Sequence, residues 1–218
     1  MKTMNIKLMA RAVFAAVILL LGAPLSAADK KPAKPDTEAE YAAKLEVRAA
    51  DILKALELPD AEKAGRVRGL VIAQYRALRD WHDGLGPKLK GAGEEEARVI
   101  RASLKELHGK FVAGLAVELT PAQVERVKDR MTYDTVRVTF NGYLEMLPQL
   151  TTAQKARVLE TLKEAREEAM DGGGSEEKTA IFGRYKGRIN NFLAAEGYDL
   201  KQAGKDWAAR RKVKEGKK

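Results

Sequence analysis

The chain is 218 residues long, with 45% hydrophobic and 33% charged residues, two histidines and no cysteine. That length supplies one ordinary domain core, and the missing cysteine excludes disulfides and thiol chemistry. A formal net charge of +9 would suit a nucleic-acid binder, but the basic residues gather at the ends: residues 201–218 hold eight basic against two acidic side chains, and residues 1–34 hold six against one. The stretch between is slightly acidic, so no folded basic face is expected and nucleic acid is excluded as a partner.

Lys2, Lys7 and Arg11 precede the apolar run Ala12 to Leu21; Gly22 and Pro24 break it, and Ser26-Ala27-Ala28 follow with small side chains. This pattern predicts a signal peptide over residues 1–28, cut after Ala28. The run is shorter than the ~20 residues of a membrane span, and no later stretch is longer. The expectation is an exported chain, periplasmic or extracellular, without stable membrane insertion after cleavage. Residues 29–36 read as a linker, 37–208 as a single helical domain and 209–218 as a solvated basic tail.

From Thr37 onward apolar residues recur at three and four, the helical period. The first helix is predicted from Thr37 to Leu58, with Thr37 and Glu40 as a capping box and Tyr41, Leu45, Ile52, Leu53 and Leu56 on one side. Pro59-Asp60 ends it. The second carries Val67, Leu70, Val71, Gln74, Tyr75, Leu78, Trp81 and Leu85, and Gly84 and Gly86-Pro87 interrupt it. The third follows Gly93 with Val99, Ile100, Leu104, Leu107, Phe111 and Leu115. The pentapeptide Leu119-Thr120-Pro121-Ala122-Gln123 opens the next, with Thr120 as N-cap, Pro121 at the first helical position and Leu119 placed to staple onto Val124. Met131 to Leu147 reads as a turn and a short helix. Leu150-Thr151-Thr152-Ala153-Gln154 repeats the cap and opens a helix through Val158, Leu159, Leu162, Ala165 and Ala169, with Glu160, Lys163, Glu164 and Glu167 on its exposed side. Asp171-Gly172-Gly173-Gly174 stops it. Ser175 is expected to cap a helix to Ala195, and Asp199 with Gln202 a last one carrying Leu200, Ala203 and Trp207. The fold class is all-α, a bundle or array of about seven helices.

No catalytic centre, cofactor or metal site emerges. His82 and His108 fall on different helices without clustered ligands, so they read as surface or interface residues; a metal site would need both, with carboxylates. The Gly172–Gly174 run lacks a preceding strand and reads as a helix stop and hinge, not a phosphate cradle. Glu160, Glu164 and Glu168 sit on a hydrated face, unlike the paired carboxylates of a glycosidase. In Lys178 to Tyr198, Ala180, Gly183, Gly187, Asn190 and Ala194 form a small-residue seam for close helix packing, with Asn190 hydrogen-bonded across it. Ile181, Tyr185, Ile189 and Phe192 form the apolar row, and Arg184, Arg188 and Asn191 a polar one.

Aromatic rings beside planar polar groups suit a sugar, whose apolar face stacks on a ring while amides, guanidinium and carboxylate take its hydroxyls. Candidate ligand-binding residues are therefore Tyr133, Tyr143, Arg184, Tyr185, Arg188, Asn190, Asn191, Tyr198, Asp199 and Trp207.

The segments Met131-Thr132-Tyr133, Tyr143 to Pro148, Ala165 to Met170, Gly183 to Asn191 and Gly197-Tyr198-Asp199 resemble a family of bacterial exported proteins classed as a domain of unknown function, DUF3826-like, with a sugar-binding label. The resemblance spans most of residues 40–207 and implies carbohydrate as the ligand. The two LTxxQ pentapeptides also resemble the periplasmic Spy/CpxP helical chaperones. The resulting expectation is an exported, non-enzymatic helical binding protein for carbohydrate. The alternative is a Spy/CpxP-like chaperone or stress adaptor for envelope proteins, and the third a glycan-acting enzyme.

Overall fold

The computed structural model describes residues 36–215. The expected signal peptide, and all of the linker but Asp36, lie outside the described residues. Eight α-helices follow one another: α1 (Glu38–Leu56), α2 (Ala61–Gly84), α3 (Glu94–Glu118), α4 (Pro121–Met131), α5 (Thr135–Met146), α6 (Thr152–Met170), α7 (Ser175–Ala195) and α8 (Leu200–Glu215), with one 3₁₀ turn at Gly86–Lys90. Among the described residues there is no strand, and no helix is long and apolar enough to cross a membrane. The chain is all-α, as its periodicity predicts.

Helix starts follow local chemistry. Thr37, Thr120 and Thr151 each accept from the backbone N–H three residues on, at 3.2–3.3 Å, while Glu40, Gln123 and Gln154 accept from the threonine N–H in return. These are three reciprocal capping boxes. Asp60 caps α2, accepting from Glu62 and Lys63, and Asp199 accepts from the Gln202 N–H at 2.9 Å to start α8. The Gln202 side chain instead donates to Asp206, so this last cap is not reciprocal. At α7 the first intrahelical bond runs from Lys178 N–H to the Gly174 carbonyl. Gly174 is thus the N-cap, and Ser175, expected there, is already helical. The basic stretch from residue 209 is helical through Glu215.

The helices group into two compact units. Among the described residues one comprises 36–135 with 163–183, and the other 136–162 with 184–215. In the first, α1 packs on α2 and α4, and α3 on α2 and α4. Its core gathers Ala49, Ile52, Leu56, Val67, Val71, Phe111, Leu115, Leu119, Val124, Val127, Met131 and Met170. Leu119 and Val124, the expected staple, both belong to it. Val99, expected on the inner face of α3, is instead exposed.

In the second unit Val158, Leu162, Ile189, Leu193 and Trp207 are buried. The expected small-residue seam does not pack as predicted. Ala180, Gly183, Gly187 and Ala194 are exposed, and a Cβ added at Gly183 or Gly187 would meet nothing within 4 Å among the described residues. The apolar row of α7 turned the opposite face inward. Asn190 does bond across, its side-chain oxygen accepting from the Tyr143 hydroxyl at 2.7 Å.

Candidate functional site

The first unit holds a cavity of about 220 Å3 between the start of α1, the middle of α2, the turn after α4 and the loop into α7. Each element contributes for a local reason. Helical spacing puts Tyr41, Lys44 and Arg48 on one side of α1, and Tyr75, Leu78 and Arg79 on one side of α2. The Tyr41 hydroxyl donates to the Tyr75 carbonyl at 2.9 Å, fixing one tyrosine on the other's helix. Arg79 lies over the Tyr41 ring at 4.0 Å and also pairs with Glu38. Lys44 pairs with Asp36 at 2.6 Å.

The turn after α4 is a Schellman motif. Asp134 N–H bonds to the Asp129 carbonyl and Tyr133 N–H to that of Arg130, the paired bonds that close a helix through a left-handed residue. That residue, normally glycine, is Tyr133, with φ 59°, and Asp134 follows with φ 54°. Arg130 braces the turn through Asp134 at 2.8 Å and through Asp51. A tyrosine is therefore held in costly backbone geometry, half exposed at 49%, on the lining of the cavity.

The fourth wall is Gly172, Gly173, Gly174 and Lys178. None of these glycines has positive φ; close approach explains two of them. A Cβ on Gly173 would lie 2.9 Å from the His82 ring, and one on Gly172 would lie 3.1 Å from the Lys178 side chain. Lys178 is 5% exposed. Its Nζ donates to the Met131 carbonyl at 3.0 Å and lies 5.7 Å from the Tyr75 ring centre, while the Arg48 guanidinium lies 5.1 Å from the same ring. Burial first, and Arg48 second, push the Lys178 ammonium down to about 8. Burial pushes the Tyr75 phenol up to about 12.

Behind the glycine loop lies a polar cluster. The His82 Nε2 N–H donates to the Asp171 carbonyl at 2.7 Å, a tautomer fixed because a carbonyl only accepts. His108 Nδ1 meets both Asp171 carboxylate oxygens at 3.1 Å, and its Nε2 lies 3.4 Å from Glu167. Asp171 and Glu167 raise His108 to about 9, so it is an imidazolium at neutral pH. Burial raises Glu167, but His108 and Lys128 outweigh it and hold that carboxyl at about 2. The buried Arg166, 3% exposed, pairs with Glu125 at 2.5 Å and Asp129 at 2.6 Å. The reading of His82 and His108 as unrelated surface or interface residues is thus corrected: both are partly buried and converge on Asp171. Glu167, expected on a hydrated face, belongs to the same network. Among the described residues no group of three or more histidines and carboxylates is arranged to hold a metal ion.

Of the residues singled out from sequence, only Tyr133 lines this cavity. The others fall in the second unit. Tyr143 is buried on Asn190. Tyr198 donates to the Gln154 side chain at 2.8 Å, and Gln154 donates on to Glu196. Trp207 is buried and its indole donates to Glu145 at 3.0 Å. Asp199 caps α8. The Arg188 guanidinium covers the Tyr185 ring at 4.7 Å, and Arg184, Arg188 and Asn191 lie on the exposed face. The tyrosines and tryptophan there are committed to neighbouring side chains. Beyond Tyr133, the one legible sign of the cavity was Lys178, a lysine in register with Ile181 and Ile189 of the apolar row; Arg48 and Tyr75 carried none.

Fold and site together define an all-helical protein with a small cavity lined by tyrosines and cations. It belongs to the family described as Protein of unknown function (DUF3826), whose model matches residues 42–213. No curated protein matches it.

Proposed function

We propose that this chain is an exported, non-enzymatic binding protein for carbohydrate, and that the sugar sits in the Tyr75–Lys178 cavity. The observation that carries the reading is Tyr133, an aromatic ring kept half exposed on the cavity lining in a backbone position that favours glycine. A pyranose stacks on such a ring, while guanidinium and ammonium groups take its oxygens. The volume lies below the ~300–1,000 Å3 of clefts for drug-sized ligands, which suits a single sugar residue.

The cavity lining argues against chemistry on the sugar. A glycosidase works with a pair of carboxyl groups, whereas the lining carries one, Asp36, engaged with Lys44. His108 faces carboxylates with both nitrogens and serves as a clamp, not a base. The chaperone reading draws on an exposed apolar face, but Val47, Val99, Val117, Tyr133 and Val213 are spread over α1, α3, the α4–α5 turn and α8. The test is thermal melting of the full chain and of Tyr133→Ala against a glycan panel. A bound glycan at 100 times its dissociation constant stabilises by about 2.7 kcal/mol, and the shift should shrink in the variant. No shift with any glycan, together with near-stoichiometric suppression of client aggregation, would establish the chaperone reading instead.

A further inference from the structure

The cavity lining carries four cations, Lys44, Arg48, Arg79 and Lys178, against one carboxylate, Asp36. Two of the four are neutralised: Lys44 by Asp36 and Arg79 by Glu38. The other two have no carboxylate within ion-pair distance among the described residues. Arg48 and Lys178 both lie against the Tyr75 ring, at 5.1 and 5.7 Å from its centre. Lys178 spends one N–H on the Met131 carbonyl, and its other two have no acceptor among the described residues.

An ammonium group excluded from water normally sits beside a carboxylate, because burying an unpaired charge is expensive. Here a second cation stands beside it, and the two repel: Arg48 depresses Lys178 more than either Asp171 or Glu177, both beyond ion-pair distance, raises it. The stacked ring offsets part of this repulsion for each cation. An anion between them would remove the remainder and satisfy the idle donors, with the guanidinium offering a planar fork to two oxygens. The same lining carries Tyr41, Tyr75, Tyr133 and the Gly172–Gly174 loop, which fits a ring bearing the charge better than a bare ion.

From this we infer that the ligand is an acidic sugar, whose carboxylate or sulfate is held between Arg48 and Lys178 while its ring lies toward Tyr133. The inference rests on the carbohydrate reading above and narrows it to a charged class.

The test compares galacturonate and galactose 6-sulfate with galactose and with the methyl ester of galacturonate, by calorimetry on the full chain. Acetate and inorganic phosphate serve as anions without a ring. Arg48→Gln is the main variant, since Arg48 is exposed and its loss leaves the core intact; its fold is checked by an unchanged melting temperature. The acidic sugars should bind at least about tenfold tighter than galactose and the ester, more weakly at high salt, and should lose about tenfold in Arg48→Gln, as for a lost charge-assisted contact. Galactose binding as tightly as galacturonate, or Arg48→Gln leaving galacturonate affinity unchanged, overturns the charged class and leaves the carbohydrate reading standing. Phosphate or acetate matching the acidic sugars, or no sugar binding at all, overturns both.

Discussion

Tyr133 occupies a left-handed position at which a non-glycine residue costs about 1 kcal/mol or more. Tyr133→Gly should therefore raise the melting temperature by about 2–4 °C while removing the glycan-induced shift, both read in one thermal scan. A variant that loses stability would mean that the ring holds the turn together. The glycine loop makes a sharper contrast. Gly173→Ala puts a methyl 2.9 Å from the His82 ring, and that ring is tethered to the Asp171 carbonyl. It should cost about 1–3 kcal/mol in urea unfolding. Gly174→Ala, with nothing within 4 Å, meets no clash and should lose only the N-cap preference for glycine over alanine, about 0.5–1 kcal/mol. Lys178 acts in the opposite direction from an ordinary ion pair. Its folded value of about 8 lies below the ordinary 10.5, so the native state resists protonation and the burden is full below pH 8. It fades as pH rises to 10.5. Lys178→Met should be more stable than the parent at pH 7, by a margin that closes above pH 10 in paired denaturation curves.

At the scale of elements, the sequence was readable wherever the cause was local. Thr120 with Gln123 and Thr151 with Gln154 announced two helix starts within five residues each, and both boxes form. Met131 to Leu147 divides into a turn and a helix as its composition suggests. The same pattern matching could not see a second use of Gln154, which also accepts from Tyr198 and donates to Glu196. It also read both stripes of α7 as packing faces, the apolar row as core and the small residues as a close helix contact, and only the first is buried. Burial of Ile181, Phe182, Ile189 and Leu193 outweighs any gain from packing on Gly183 and Gly187. The candidate site was mostly invisible. Its walls come from residues 36–48, 75–79, 133 and 172–178, and only helix packing brings them together. His82 and His108 reach Asp171 across 89 and 63 residues of sequence, a separation that no spacing rule spans.

Across the molecule, two groups shape the stability profile below the pH at which the Lys178 burden begins to lift. His108 is raised from 6.5 to about 9; its contribution is complete below pH 6.5 and is lost as pH climbs through 9. Glu167 is lowered from 4.5 to about 2; its contribution is complete above pH 4.5 and is lost as pH falls through 2. Unfolding free energy should thus be flattest between about pH 4.5 and 6.5, and His108→Gln should remove the fall from pH 6.5 to 8, before the Lys178 burden lifts. A parent profile that keeps rising from pH 6.5 to 8 would contradict the His108–Asp171 pairing. In the core, Leu115 is fully buried, and Leu115→Ala should cost about 2–5 kcal/mol by the same urea measurement.

Of the three reciprocal boxes, one closes on a carboxylate and two on amides. Glu40 accepts from both the backbone and the hydroxyl of Thr37, which lowers its pKa, so protonation undoes that clasp in acid. Gln123 and Gln154 have no proton to gain. Acidification should therefore loosen the first turn of α1 and leave the openings of α4 and α6 shut, a difference visible as faster amide exchange at Thr37, whose N–H the Glu40 carboxylate holds, than at Thr120 and Thr151.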